Sequence, residues 1–166
     1  MIKPSQIYEA ARKIKNENEA FLAFLRLYAD PEELDRQFLR LHEEVFSGYD
    51  CCQCGNCCRV YALALGEDET GAIADFLGLS AGAFAEQYLQ KTGAGSYIIE
   101  SPCPFLLPNG KCMIYAHKPA VCNHYPGTDQ PYRKESLVHL FSIAEECPVV
   151  YEIIERLKAV YPVLTN

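Results

Sequence analysis

No stretch of this chain approaches the roughly 18 to 20 uninterrupted apolar residues that a membrane-spanning helix needs. Its first residues, MIKPSQIYEAARKIKNENEAFLAF, mix charged and apolar side chains at helical spacing where a secretory signal would carry a continuous apolar core. The expected address is therefore cytoplasmic. A basic stripe that could track phosphates is missing as well: 15 Lys and Arg are scattered among 22 Asp and Glu, for a formal net charge of -7. Neither nucleic acid nor a membrane is expected as a partner. There is no internal repeat, no low-complexity linker and no glycine-rich strand-to-helix fingerprint for a nucleotide or S-adenosylmethionine. At 166 residues, 49% of them hydrophobic, the chain suffices for one packed core and reads as a single domain, 1–166.

Cysteine is what the sequence has in excess. Of nine, five fall within eight positions in CCQCGNCCRV, as Cys51, Cys52, Cys54, Cys57 and Cys58, and the others are Cys103, Cys112, Cys122 and Cys147. The cytosol keeps thiols reduced, so this density points to metal binding or redox chemistry before a disulfide framework, and an odd count leaves one thiol over in any case.

Hydrophobic spacing predicts a mainly α fold. Residues 5–29 place Ile7, Ala11, Ile14, Phe21, Leu22, Leu25 and Tyr28 on one face of a long helix. Asp30-Pro31-Glu32-Glu33 starts a second helix with a cap, a proline and an acidic first turn, and Leu34, Phe38, Leu41 and Val45 form its buried stripe. These two make an N-terminal helical hairpin, 1–48, whose role is support; His42 on it reads as a solvated or core-edge histidine. Val60 to Leu65 is a strand or extended run. Short helices are expected over 67–77 and from the cap Ser80 towards a glycine-rich turn near Thr92-Gly93. A short β-hairpin near 104–115 turns at Pro108-Asn109-Gly110 with a cysteine on each arm. A helical turn from Pro119 and helices over 135–144 and 148–160 complete the chain. The three regions are the hairpin, a metal-binding core over 49–126, and C-terminal helices over 127–166.

Cys51, Cys54 and Cys57 recur every third residue, which lets a tight loop present three thiolates to one centre. Adjacent side chains diverge by about 100° on a helix, so Cys58 faces elsewhere and Cys52 is spare. Eight thiolates then fill two four-coordinate sites: Cys51, Cys54 and Cys57 with one distant cysteine, and Cys58 with the other three of Cys103, Cys112, Cys122 and Cys147. A single centre, with the remaining cysteines buried as small hydrophobes, is the competing reading. Four thiolates suit zinc and iron–sulfur alike. The triplet at steps of three, with a distant cysteine before proline, is closer to the ferredoxin pattern of a 4Fe-4S cluster, with zinc as the alternative. Both Cys103 and Cys147 precede proline, so that feature does not choose between them.

Taken together, CxxCGxCCR at 51–59, Cys103-Pro104-Phe105-Leu106, Cys112-Met113-Ile114-Tyr115, and Lys118-Pro119 with Cys122 and Pro126 resemble the YkgJ-type CxxCxxCC cysteine-cluster family over roughly 49–126. The resemblance implies a zinc- or iron-chelating domain. Lys118 stands where that family usually has arginine, which keeps the charge and loses the fork of donors. Cys52 is extra to the motif. The family's contexts include a cysteine-cluster region in flagellin lysine methylases, but without a nucleotide fingerprint methyl transfer by this chain alone has little support.

Three functions fit these residues. One is a metal or cluster protein that is redox active or passes its centre to a protein partner. Another is a metal-dependent enzyme, or a module associated with a methyltransferase, using His117, His124, Tyr115, Tyr125 or Arg59. The last is a structural zinc domain. His117 and His124 read first as surface residues, Tyr115 and Tyr125 as packing, and Arg59, Lys111 and Lys118 as cations offsetting thiolate charge.

Overall fold

The computed structural model describes residues 1–93 and 97–162. After a 3-10 turn at Pro4–Gln6, the elements in chain order are α1 (Ile7–Lys13), α2 (Lys15–Tyr28), α3 (Pro31–Phe46), α4 (Cys51–Cys54), α5 (Cys57–Val60), β1 (Leu63–Ala64), α6 (Glu67–Phe76), α7 (Ala81–Tyr88), β2 (Gln90–Lys91) and β3 (Tyr97–Ile99). A second 3-10 turn at Tyr115–His117 leads to α8 (Ala120–His124), α9 (Arg133–Ile143) and α10 (Pro148–Val160). The fold is mainly α, as the spacing of apolar residues implied. No helix among the described residues is long and apolar enough to cross a membrane.

Packing divides the chain into two units, Met1–Asp50 with Pro126–Asn166, and Cys51–Tyr125. In the first, α3 packs on α9 and α10, and α2 on α9. The α3 stripe is buried as its spacing predicts, with Leu34 and Phe38 at 0% exposure, and Leu140 of α9 and Ile153 and Ile154 of α10 are buried in the same unit. Asp30 caps α3 by accepting the Glu33 N–H at 2.9 Å. The single helix expected over 5–29 is broken at Ile14, whose backbone leaves helical geometry (φ -109°, ψ 17°) and whose N–H turns to the Ala11 carbonyl, three residues back. His42 is tied in place by Thr128, Nδ1 to Oγ1 at 2.8 Å, with its ring against Phe46.

A loop on α9 shows why that helix starts before its expected position. Tyr132 takes a left-handed backbone (φ 63°), and the Asp35 carboxylate accepts the N–H groups of Tyr132 and Arg133 at 2.8 and 2.7 Å. The buried Arg133 guanidinium donates in turn to the carbonyls of Gly127 and Pro131.

The second unit is built on Phe84, Phe105, Ile73, Ile99 and Ile114, with Cys103 and Cys112 packed against them. Full burial of each such aromatic or aliphatic side chain contributes about 1.5–3 kcal/mol. Three short antiparallel strands run in the order β1-β3-β2, with Leu63 opposite Ile99 and Lys91 opposite Tyr97. Only β1 falls in a run read as strand or extended, Val60 to Leu65; β2 and β3 were not expected, and α7 ends at Tyr88 because the chain passes straight into β2, while the residues 94–96 that follow Gly93 lie outside the described ones. The hairpin near 104–115 is narrower than expected. Its turn is formed, Leu107 N–H to Lys111 O at 2.8 Å, but its arms meet in one bridge, Leu106 with Cys112.

Candidate metal centre

The cysteine-rich stretch folds as two single turns, α4 and α5, separated by Gly55 at φ 59°, a left-handed position that a side chain makes costly. Arg59 closes this junction by donating Nη1 to the Cys54 carbonyl at 2.8 Å, which satisfies a carbonyl left open at the end of α4.

Backbone bonds draw later cysteines to this loop. The Cys103 N–H donates to the Cys58 carbonyl at 2.7 Å. Cys112 is held opposite by its bridge to Leu106 and by the Met113 N–H on the Phe105 carbonyl at 2.8 Å. The tip of the same turn, Gly110 at φ 84°, lies so close to α4 that a Cβ there would stand 2.8 Å from the Cys52 carbonyl oxygen. Cys122 sits on α8, its N–H bonded to the Pro119 carbonyl at 2.9 Å.

These four thiols act on one another. A side-chain hydrogen bond from Cys57, ahead of the positive charges of Arg59 and Lys118, draws Cys58 down to about 6 in spite of its burial. The other three move the opposite way. Burial pushes Cys122 up to about 11, helped by the charges of Cys58, Cys103 and Cys112. Burial likewise raises Cys103, against N–H groups of Phe105 and Leu106 that face its sulfur, and raises Cys112, against the N–H of Ile114. The charges of these thiols therefore oppose one another, so a second thiolate in the set is harder to form than the first.

Of the eight cysteines singled out by sequence, the structure brings Cys58, Cys103, Cys112 and Cys122 into electrostatic reach of one another. Cys51, Cys54 and Cys57 share the α4–α5 loop, with Cys51 exposed and the other two half-buried. Cys147 belongs to the helical unit, where it is buried and opens α10. Cys52 acts electrostatically on Cys112. Among the described residues no cysteine is in a disulfide, and no group of three or more His, Cys, Asp or Glu side chains forms a ready-made ion cage. Metal-bound thiolates are deprotonated by the ion that gathers them, so a set of protonated thiols is not expected to converge unaided. The donor chemistry fits a soft ion: four half-buried sulfurs, N–H groups aimed at two of them, and a cation alongside.

The expected cations behave unequally. Lys118 acts on Cys58, Cys112 and Cys122, and its Nζ rests 4.1 Å from the centre of the Tyr115 ring. Lys111 contributes its carbonyl to the turn. His117 is exposed and stacks on Phe76 with ring centres 4.4 Å apart, His124 is exposed, and Tyr125 lies against Tyr61. Sequence reading missed Glu69, which accepts the Ala120 N–H at the start of α8 at 2.7 Å. A glutamate three residues after Gly66 signals a capping box for its own helix but says nothing of Ala120.

No curated protein and no solved structure matches the chain. A family model does match, over residues 50–148, and so runs past the region of resemblance at 49–126 to take in α9, Cys147 and Pro148. With more than half its length so matched, the chain belongs to the CxxCxxCC family, described as a "putative zinc- or iron-chelating domain".

Proposed function

We propose that this chain carries an iron–sulfur cluster on Cys58, Cys103, Cys112 and Cys122, and that the centre is redox active or is passed to a protein partner. One observation carries the reading: backbone bonds bring Cys58, Cys103 and Cys112 together, Cys122 lies within electrostatic reach of all three, and N–H groups turn to the sulfurs of Cys103 and Cys112. An all-sulfur set selects soft ions, zinc or iron–sulfur. Four thiolates around a 4Fe-4S core of about +2 carry a net charge of about -2, which Lys118 and Arg59 offset in part. Half-buried sulfurs suit a centre that must give up an electron or its cluster near the surface. Cys51, Cys54 and Cys57 are assigned a second centre from their three-residue step. The cytosol, where thiols stay reduced, is the compartment that suits such a protein.

Zinc is the second reading, because N–H groups facing Cys103 and Cys112 also suit a closed four-thiolate zinc site. Anaerobic purification with metal and acid-labile sulfide analysis separates the two. Iron, sulfide and broad absorbance near roughly 400 nm support the cluster. Colourless protein with stoichiometric zinc and no sulfide replaces it with zinc. Metal-free protein that folds stably and takes up neither defeats both.

A further inference from the structure

Helix α6 reaches the segment that carries Cys122 at two points. Glu69, in its first turn, accepts the Ala120 N–H on Oε1 at 2.7 Å and the Gly66 N–H on Oε2 at 3.1 Å. Seven residues later, and so on the same face two turns on, Phe76 lies against His117 with ring centres 4.4 Å apart. The helix that makes these contacts is itself held to the core of its unit by Ile73 and Ala74.

The need for such a clasp follows from the sequence of α8. Its first N–H groups have no acceptor inside the helix, and the residue at its cap, Pro119, makes no side-chain cap bond. Serine or aspartate there would supply an oxygen; proline has none to offer. With only five residues, Ala120–His124, α8 has little propagation to repay its own nucleation. Its start must be fixed from outside, and the position of that start sets where Cys122, two residues on, is held. A carboxylate is suited to the task because negative charge is favourable at the N-terminal end of a helix.

We infer that Glu69 is a positioning residue for the thiolate centre: by clasping the Ala120 N–H it fixes the short helix that presents Cys122. The inference rests on the metal-binding reading above, and the partner 51 residues away explains why no local motif announces it.

Cobalt(II) titration of the metal-free full chain tests it, since thiolate-to-cobalt charge-transfer bands report the ligand set directly. Glu69→Ala is expected to weaken cobalt affinity about 10- to 100-fold, the loss typical when a residue that orients a ligand is removed, and to alter those bands. Glu69→Gln keeps one carbonyl oxygen for Ala120 and is expected to restore most of the affinity and the wild-type spectrum. Amide exchange at Ala120 in the metal-free protein should speed up in the alanine variant. A Glu69→Ala protein with wild-type affinity, spectrum and Ala120 exchange overturns the positioning role and leaves the metal reading standing. Wild-type protein that binds neither cobalt nor iron with sulfide overturns the metal reading itself, so the two failures are told apart.

Discussion

Cys57 and Cys58 are joined by a side-chain hydrogen bond as well as by the chain, and this bond is the largest cause drawing Cys58 down to about 6, whereas burial pushes Cys122 up to about 11. In metal-free protein Cys58 is then mainly thiolate at neutral pH, and the thiolate is the reactive form. Alkylation followed by mass spectrometry should label Cys58 before Cys103, Cys112 or Cys122, with a rate that falls as pH drops through about 6. Replacing Cys57 by alanine removes the donor, raises the Cys58 pKa and moves that profile to higher pH. A wild-type profile centred at the ordinary thiol value would contradict the geometry.

Serine substitution separates the members of the centre. Cys58→Ser, Cys103→Ser, Cys112→Ser and Cys122→Ser should each lose most of the bound metal, because structural metal sites supply a large share of folding energy and tolerate few missing ligands. Cys52→Ser should retain it. Metal-to-protein ratios with circular dichroism on the same samples check this; full loading in all four variants would remove the site.

Gly110 is predicted to be intolerant of any side chain. Its φ of 84° is a strained position for L residues, and an added Cβ would stand 2.8 Å from the Cys52 carbonyl oxygen. Gly110→Ala should cost about 1–3 kcal/mol and weaken metal binding by separating the turn from α4. Metal competition and denaturant unfolding together read both effects.

In the helical unit, Asp35→Ala removes the acceptor shared by the Tyr132 and Arg133 N–H groups. The cost expected is that of a lost cap, about 0.5–2 kcal/mol, read as a lower denaturant midpoint. Exchange at those two amides should be faster, and an unchanged rate would show that the carboxylate is dispensable.

Phe38 is fully buried on α3. Phe38→Ala should destabilise this unit by about 3–5 kcal/mol through lost burial and the cavity left behind, seen in the helical signal on urea unfolding.

Elements with local signals were legible. Asp30-Pro31 announces α3, and Cys147-Pro148 marks the start of α10 where the structure has it. Of the sheet only β1 was legible, inside the Val60–Leu65 run; β2 has two residues and β3 three, too short for alternation, and β2 is the polar pair Gln90-Lys91. The start of α9 was misplaced for another reason: its N–H acceptor, Asp35, is 98 residues from Arg133. At the candidate centre, the divergence of adjacent side chains did not anticipate the side-chain hydrogen bond between Cys57 and Cys58. The sequence offered no means of seeing that Cys52 lies by Cys112, nor that Glu69 holds α8, since both contacts join segments with no pattern in common.

The order of the two units along the chain has a consequence for synthesis. Residues 1–50 and 126–166 share one core, while 51–125 form the other unit between them. On the ribosome, α3 emerges long before α9 and α10, the helices that cover its apolar stripe. All the sulfur of the cysteine unit is therefore outside the exit tunnel before the helical unit can close. Until α9 and α10 emerge, Leu34, Phe38 and Leu41 have no partner helix to cover them, and a chain stalled at that point exposes apolar surface prone to aggregation.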